Sequence, residues 1–289
     1  MAVSLMIIGA LICSQGAAVC YKTFSKNSAE NYNSVPPFMA FWTGILGIIA
    51  TIMTVLFGGF NPSGITVITA IISGLAFAGA GILGIYIMAT GPFFWSMLMV
   101  NLACFIPVLY APVFLGEVIT ILQILGVLSI LPILFIMNSG RKSDIKSITP
   151  RWMLLAVGAM LLNGIIFSTQ KTQAHFTDGE LRELISIMFM AASFFAGVYS
   201  LFIHKKGKHT PFKSCLKPAM GLVFCIGIYN VLSLTLMDRV TAAIQFPILV
   251  GGGIILSAII SVVLYKEHPT WRLYVSSALL IIGVILLGF

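Results

Sequence analysis

Eight polar or aromatic side chains stand inside long uncharged apolar runs: Gln15, Tyr86, Trp95, Asn101, Asn163, Tyr229, Asn230 and Gln245. An amide facing hydrocarbon would leave its donors and acceptors unpaired, so these amides must face protein or a watered cavity. Together they could hold a small solute by hydrogen bonds and aromatic faces. Hydrogen bonding between packed helices is the competing use of the same residues. Two acids, Glu117 and Glu267, each close an apolar run. An acid in the first turn of the helix that follows is favoured by the helix dipole. Capping is one role for these two residues, and proton binding is the other.

Catalytic chemistry has no such foothold. His175, His204, His209 and His268 all fall between the apolar runs, without the H-x-x-x-H spacing of a metal site. No acid–base pair and no buried nucleophile with its base can be assembled at membrane depth. The expectation is no enzyme, no cofactor and no metal. Cys13, Cys20, Cys104, Cys215 and Cys225 include no C-x-x-C pair and read as small apolar residues.

The elements that must position these residues follow from composition. Of 289 residues, 59% are hydrophobic and 8% charged, and the mean hydropathy is +1.08. A soluble domain carries about 25% charged residues, so a soluble enzyme, a disordered chain and a disulfide scaffold are all excluded. Apolar runs fall at 3–20, 37–57, 65–88, 92–115, 119–138, 152–170, 185–203, 217–236, 241–264 and 272–289. Each can cross a bilayer as a helix of about 20 residues, and the strict alternation of a barrel strand is absent. The first run has no Lys or Arg before it and no A-x-A site, so it reads as a retained span. The fold expected is all-α and integral to the membrane, with ten transmembrane helices.

The net charge of +8 resides between the runs and points to lipid headgroups, with no nucleic-acid partner expected. Odd-numbered loops carry thirteen basic residues, from Lys22 and Lys26 to Lys266 and Arg272, whereas even-numbered loops carry Lys171, Arg182 and Arg239. The positive-inside rule then makes the odd loops cytoplasmic and puts both termini outside.

Residues 74–77 (Gly-Leu-Ala-Phe) are echoed 147 residues later by Gly-Leu-Val-Phe at 221–224. Each copy is followed by a run ending in an acid, Phe114-Leu115-Gly116-Glu117 and Leu264-Tyr265-Lys266-Glu267, and then by a last apolar span. Two copies of five spans, 1–140 and 141–289, account for the length. Because five is odd, the second copy must be inverted, which is the plan of secondary transporters with a site near the midplane.

These residues resemble the drug/metabolite transporter superfamily, and its EamA-like members most of all. The stretch from Thr241-Ala242-Ala243-Ile244-Gln245-Phe246-Pro247-Ile248 to Glu267 carries most of the likeness, followed by Ile282-Gly283-Val284. In the first half, Glu117 is followed by Gln123 and Gly126 at the family's spacing. The resemblance implies that the first, third and fourth spans of each half surround a central cavity while the fifth packs outside. All eight polar and aromatic candidates fall on those cavity spans. The chain departs from the family in two ways. The family's usual orientation puts both termini in the cytoplasm, and the small multidrug relatives carry a carboxylate where span one here reads Cys13-Ser14-Gln15-Gly16.

The function expected is secondary transport of a small polar or amphipathic metabolite, by export or exchange, in the plasma (inner) membrane. Without a fixed charge in the spans, a neutral, zwitterionic or aromatic-caged cationic solute fits better than an anion. The alternatives are a lipid-carrier flippase on the same fold and a non-transporting membrane assembly subunit. Expected partners are the metabolite and the lipid bilayer, with homodimerisation left open.

Overall fold

The computed structural model describes residues 2–27, 32–116, 118–129, 132, 133, 136, 149–177, 179–203, 212–237, 242–267 and 271–287. Among these there is no strand. The helices are α1 (Ala2–Asn27), α2 (Val35–Gly58), α3 (Gly64–Thr90), α4 (Phe93–Phe114), α5 (Ile121–Leu128), α6 (Pro150–Phe176), α7 (Leu181–Ile203), α8 (Phe212–Met237), α9 (Ala242–Val263) and α10 (Trp271–Leu287). Seven of them, α1 to α4 and α6 to α8, are long and apolar enough to cross a membrane, and shorter apolar helical segments run over Ile248–Val263 and Trp271–Leu286. By length and composition, this is an all-helical multi-pass membrane protein.

Local chemistry sets the helix ends. Ser63 accepts the Thr66 N–H at 3.3 Å to start α3, and Thr149 accepts the Trp152 N–H at 3.1 Å to start α6, with Pro150 in the first turn. Thr120 and Gln123 form a reciprocal capping box on α5. Gly59, at φ +78°, takes a backbone conformation after α2 that other residues rarely adopt. Pro107 has no N–H, so the Ala103 carbonyl loses its α-helical donor and accepts instead from Ile106. The result is a 3-10 turn at Leu102–Phe105 that divides α4 in its middle. Several helices outrun the apolar runs that announce them. Helix α1 continues to Asn27 because its last turn packs inward through Phe24, which is fully buried.

Three of the principal helix pairs, α2·α7, α3·α6 and α1·α8, are antiparallel. In α2·α7, Ser193 donates to the Ala40 carbonyl at 2.8 Å, Gly47 faces Met190, and the hydroxyls of Thr54 and Ser186 lie 3.0 Å apart. In α3·α6, Ser73 bonds Thr169 at 2.5 Å, Gly79 faces Leu162 and Leu83 faces Gly158. In α1·α8, Gly9 faces Leu232, Gly16 faces Cys225 and Cys20 faces Gly221. Helices α3 and α7 come so close that a Cβ on Gly74 would lie 2.7 Å from the Met188 carbonyl, an approach that only glycine allows.

Helices α1, α9, α4, α6 and α3 each pack on the next, and α3 packs back on α1, which closes a ring of five. Helix α10 packs on α9 and on α5, outside that ring. One core gathers α2, α3 and α7 around Trp42, Phe77 and Phe189, whose rings meet edge to face at 5.2–6.3 Å. A second gathers α4, the start of α6, α9 and α10 around Trp152, Phe94, Trp95 and Phe105.

Candidate functional site

Asn101, Asn163 and Asn230 share one local geometry. Each donates its amide N–H, at 2.8 Å, to the carbonyl four residues earlier in its own helix: Met97, Ala159 and Ile226. Among the described residues, none of the three bonds a neighbouring helix. Each is half-buried, and its amide oxygen has no partner among the described residues.

Their depths agree as well. The Trp152 indole donates to the Ile87 carbonyl at 2.9 Å and Lys22 donates to the Gly91 carbonyl at 3.0 Å, which puts Trp152, Lys22 and Gly91 near one level. Asn163 lies eleven residues beyond Trp152 and Asn101 ten beyond Gly91. Asn230, by the α1·α8 register, lies level with Leu11, eleven residues before Lys22. At 1.5 Å per residue all three sit about 15 Å along their helices from that level.

The other candidates separate from this set. Gln15 is buried at 5% exposure, and its side-chain oxygen accepts from the Ser257 hydroxyl at 2.8 Å, so it joins α1 to α9. Trp95 is sealed in the second core against Phe94. Tyr86 packs half-buried against the first core, and the Tyr229 hydroxyl bonds Ser233 one turn on. Gln245 is on α9, but its side chain lies outside the described residues, as does the whole of Glu117.

Glu267 caps a helix, although a different one from the helix that follows it. Its carboxylate accepts the Phe93 N–H at 2.6 Å, the Phe94 N–H at 3.4 Å and the Ser261 hydroxyl at 2.5 Å. It therefore closes the start of α4, more than 170 residues away in sequence, where the macrodipole favours an anion. The residue before it, Lys266, has φ +53°, alone in that region among the described non-glycine residues. A conformation of that kind persists only where surrounding contacts hold it.

Lys22 completes the arrangement, and sequence reasoning missed it by counting it as a loop charge. It is 8% exposed and donates to the Met88 and Gly91 carbonyls, the unpaired end of α3. One cation thus caps α3 and one anion caps α4, on either side of the Gly91-Pro92 break. Phe24, buried two residues after Lys22, was the available signal that the helix continues inward. Tyr265 lies under both ammonium groups, 5.9 Å from that of Lys22 and 4.9 Å from that of Lys26. Its hydroxyl is pushed up to about 12, by burial first and then by the charge of Glu267 and by Cys20. The ring face of a neutral phenol therefore meets the cations.

At the opposite end Glu180 accepts from the backbone and hydroxyl of Ser63, at 2.9 and 2.8 Å, and so ties the α6–α7 turn to the start of α3. Between α2 and α8 the helices leave a groove of about 400 Å³, lined by apolar residues such as Leu46, Ile49, Val223 and Gly227. Among the described residues no group of His, Cys, Asp or Glu could hold a metal ion.

The chain matches no family model and no curated protein. It is similar in fold to a solved structure described only as the crystal structure of a protein, with a TM-score of 0.58 and 16% identity, covering 96% of this chain and 95% of the other. That likeness is one of fold alone.

Proposed function

We propose that the protein is a secondary transporter of a small polar or amphipathic metabolite, a ten-helix member of the drug/metabolite transporter superfamily built from inverted halves 1–140 and 141–289. The observation that carries this reading is the pattern of helix pairs. Moving every helix five places along the chain turns α1·α8 into α6·α3, and turns α2·α7, α4·α9 and α5·α10 into themselves. The residue register follows the same rule. At the 147-residue offset of the Gly-Leu motifs, Gly16 beside Cys225 answers to Leu162 beside Gly79 within one residue. A helix that meets its own mate about an axis in the membrane plane must run antiparallel to it, as α2 and α7 do.

The exceptions to the rule support alternating access. Helices α1 and α3 pack together while their mates α6 and α8 do not form a comparable pair, and α3·α7 is close where α2·α8 leaves the groove. The end carrying Lys22 and Glu267 is thus the closed one, and the other end is the looser. If the odd loops are cytoplasmic, this is an outward-facing arrangement in the plasma membrane. Transport then consists of rocking the halves so that the packed and unpacked pairs exchange roles.

A thermal-shift screen of the purified protein against a metabolite panel, repeated with Asn101→Ala and Gln245→Ala, tests this reading. A ligand that binds the folded protein raises its apparent stability. The expected result is a hit lost in a variant and taken up by proteoliposomes. Stabilisation by a polyprenyl-phosphate lipid alone would favour the flippase, whose lateral opening the α2·α8 groove could supply. A stoichiometric co-purifying protein with no solute response would favour the assembly subunit.

A further inference from the structure

We propose that the groove between α2 and α8 holds one acyl chain of an anionic phospholipid from the bilayer, with the lipid's phosphate at Lys217. Both helices are long and apolar enough to cross a membrane, and the groove is lined only by Leu, Ile, Val, Met, Phe and Gly. Water gains no hydrogen bond from such walls, and leaving them bare forfeits their dispersion contacts. The occupant must therefore be apolar. From Met220 to Leu232 the lining runs twelve residues along α8. That is about 18 Å at 1.5 Å per residue, close to the ~15 Å of one leaflet in a hydrocarbon core of about 30 Å. Spread over that length, about 400 Å³ leaves a cross-section on the order of 20 Å², whereas a helix about 10 Å across needs about 80 Å². A single hydrocarbon chain fits that width, and a helix of a second copy does not.

The helices touch where Gly227 meets Leu46, and the groove opens outward past Ile49, Phe224 and Val231, which are all exposed. Lys217 continues the stripe of Met220, Phe224, Gly227 and Val231, at alternating spacings of three and four that keep one face of α8. It is exposed, and its long stem can follow apolar surface while the ammonium stays in the headgroups. Cys20 faces Gly221 in the antiparallel α1·α8 pair, which puts Lys217 level with Phe24, at the end where Lys22 and Lys26 stand. Among the described residues Glu267 is the one acid at this end, and its carboxylate is spent on the start of α4. A positive mouth above an apolar slot matches an anionic headgroup above its chain.

The test measures melting temperature and native mass of the purified, delipidated full chain with three probes: dioleoylphosphatidylglycerol, dioleoylphosphatidylcholine and glycerol 1-phosphate. Phosphatidylglycerol is expected to stabilise the protein and to stay bound as one lipid. Phosphatidylcholine, whose headgroup has no net charge, should bind about fivefold more weakly, and glycerol phosphate, which has no chain, should have no effect. Lys217→Gln, a surface change, should bring phosphatidylglycerol down to the phosphatidylcholine level. Arg151→Gln removes an exposed cation at the same end on α6 and should change nothing. Val231→Trp fills the groove from its open side and should weaken both lipids together. Equal binding of the two lipids overturns the inference. So does an equal loss in Arg151→Gln, which would mean a diffuse attraction to the basic end. Lipid binding that survives Val231→Trp, or a dimer that is lost in that variant, puts a different occupant in the groove and overturns it too. Stabilisation by a polyprenyl phosphate without any by phosphatidylglycerol has the same consequence. The lipid site stands apart from the transporter reading, so failure of either leaves the other in place.

Discussion

Glu267 and Lys22 act as a pair of complementary caps. Glu267→Ala leaves two backbone N–H groups at the start of α4 without their acceptor, at a cost of about 1–3 kcal/mol, and a lowered melting temperature is the expected result. Lys22→Met removes the donor from the end of α3 and should cost a similar amount. Because the charge of Glu267 acts on Lys22, the double variant Lys22→Met/Glu267→Gln should cost less than the two single changes together. Additive melting shifts would mean that the two caps are independent.

Glu180 permits a pH prediction. The Thr66 hydroxyl, then the backbone and hydroxyl of Ser63, hold its carboxyl below the usual carboxylate range. A depressed folded-state value contributes stability above the unfolded value of about 4.3, and that contribution is lost as pH falls through the folded value. The difference in melting temperature between the protein and Glu180→Gln should therefore be present at neutral pH and vanish on acidification. A difference independent of pH would show that the carboxylate charge is not what binds Ser63.

At the scale of elements, close helix packing depends on particular glycines and is indifferent to others. Gly74→Ala would drive a methyl group to 2.5 Å from the Ala191 Cβ and 2.7 Å from the Met188 carbonyl, forcing α3 from α7. The expected cost is about 1–3 kcal/mol. Gly84→Ala, with nothing within 4 Å, should be neutral or stabilising by up to about 1 kcal/mol. Thermal unfolding of the two variants separates them. A Gly74→Ala protein as stable as the parent would mean that α3 and α7 are not held at this distance. Composition alone says that both glycines sit on an apolar helix, and the neighbouring helix is what makes one of them indispensable.

At the scale of the whole molecule, the proposed inverted repeat and the unequal packing of its halves make a prediction of their own. Gly74 and Ala191 meet in α3·α7, whereas their mates at the 147-residue offset, Gly221 and Gly44, have no contact with each other. In the oppositely facing state these two glycines should meet. In membranes, Gly44→Cys and Gly221→Cys, introduced after replacement of the five native cysteines, should crosslink. A Thr54→Cys/Ser186→Cys pair across α2·α7 serves as the positive control, because those hydroxyls already lie 3.0 Å apart. Crosslinking of the control alone would argue against exchange of the packed pairs.

Much of this was legible in the sequence. An apolar chain in lipid must satisfy its backbone internally, so runs such as 37–57 and 65–88 could only be helices, and Gly91-Pro92 could only be a break. The acid at 267 was legible as a helix cap because the dipole rule is local. Which helix it caps was not, because α4 is distant in sequence and meets the α9–α10 turn only after the helices assemble. Likewise eight polar residues could be picked out by their apolar surroundings, but composition treats Gln15 and Asn163 alike. Tertiary packing set Ser257 opposite Gln15 and no described residue within hydrogen-bonding reach of the oxygen of Asn163. Composition and periodicity thus determine what each segment of chain must be in a bilayer. Partners, register and the capping role of Lys22 depend on which helix faces come together, and only the assembled helices decide that.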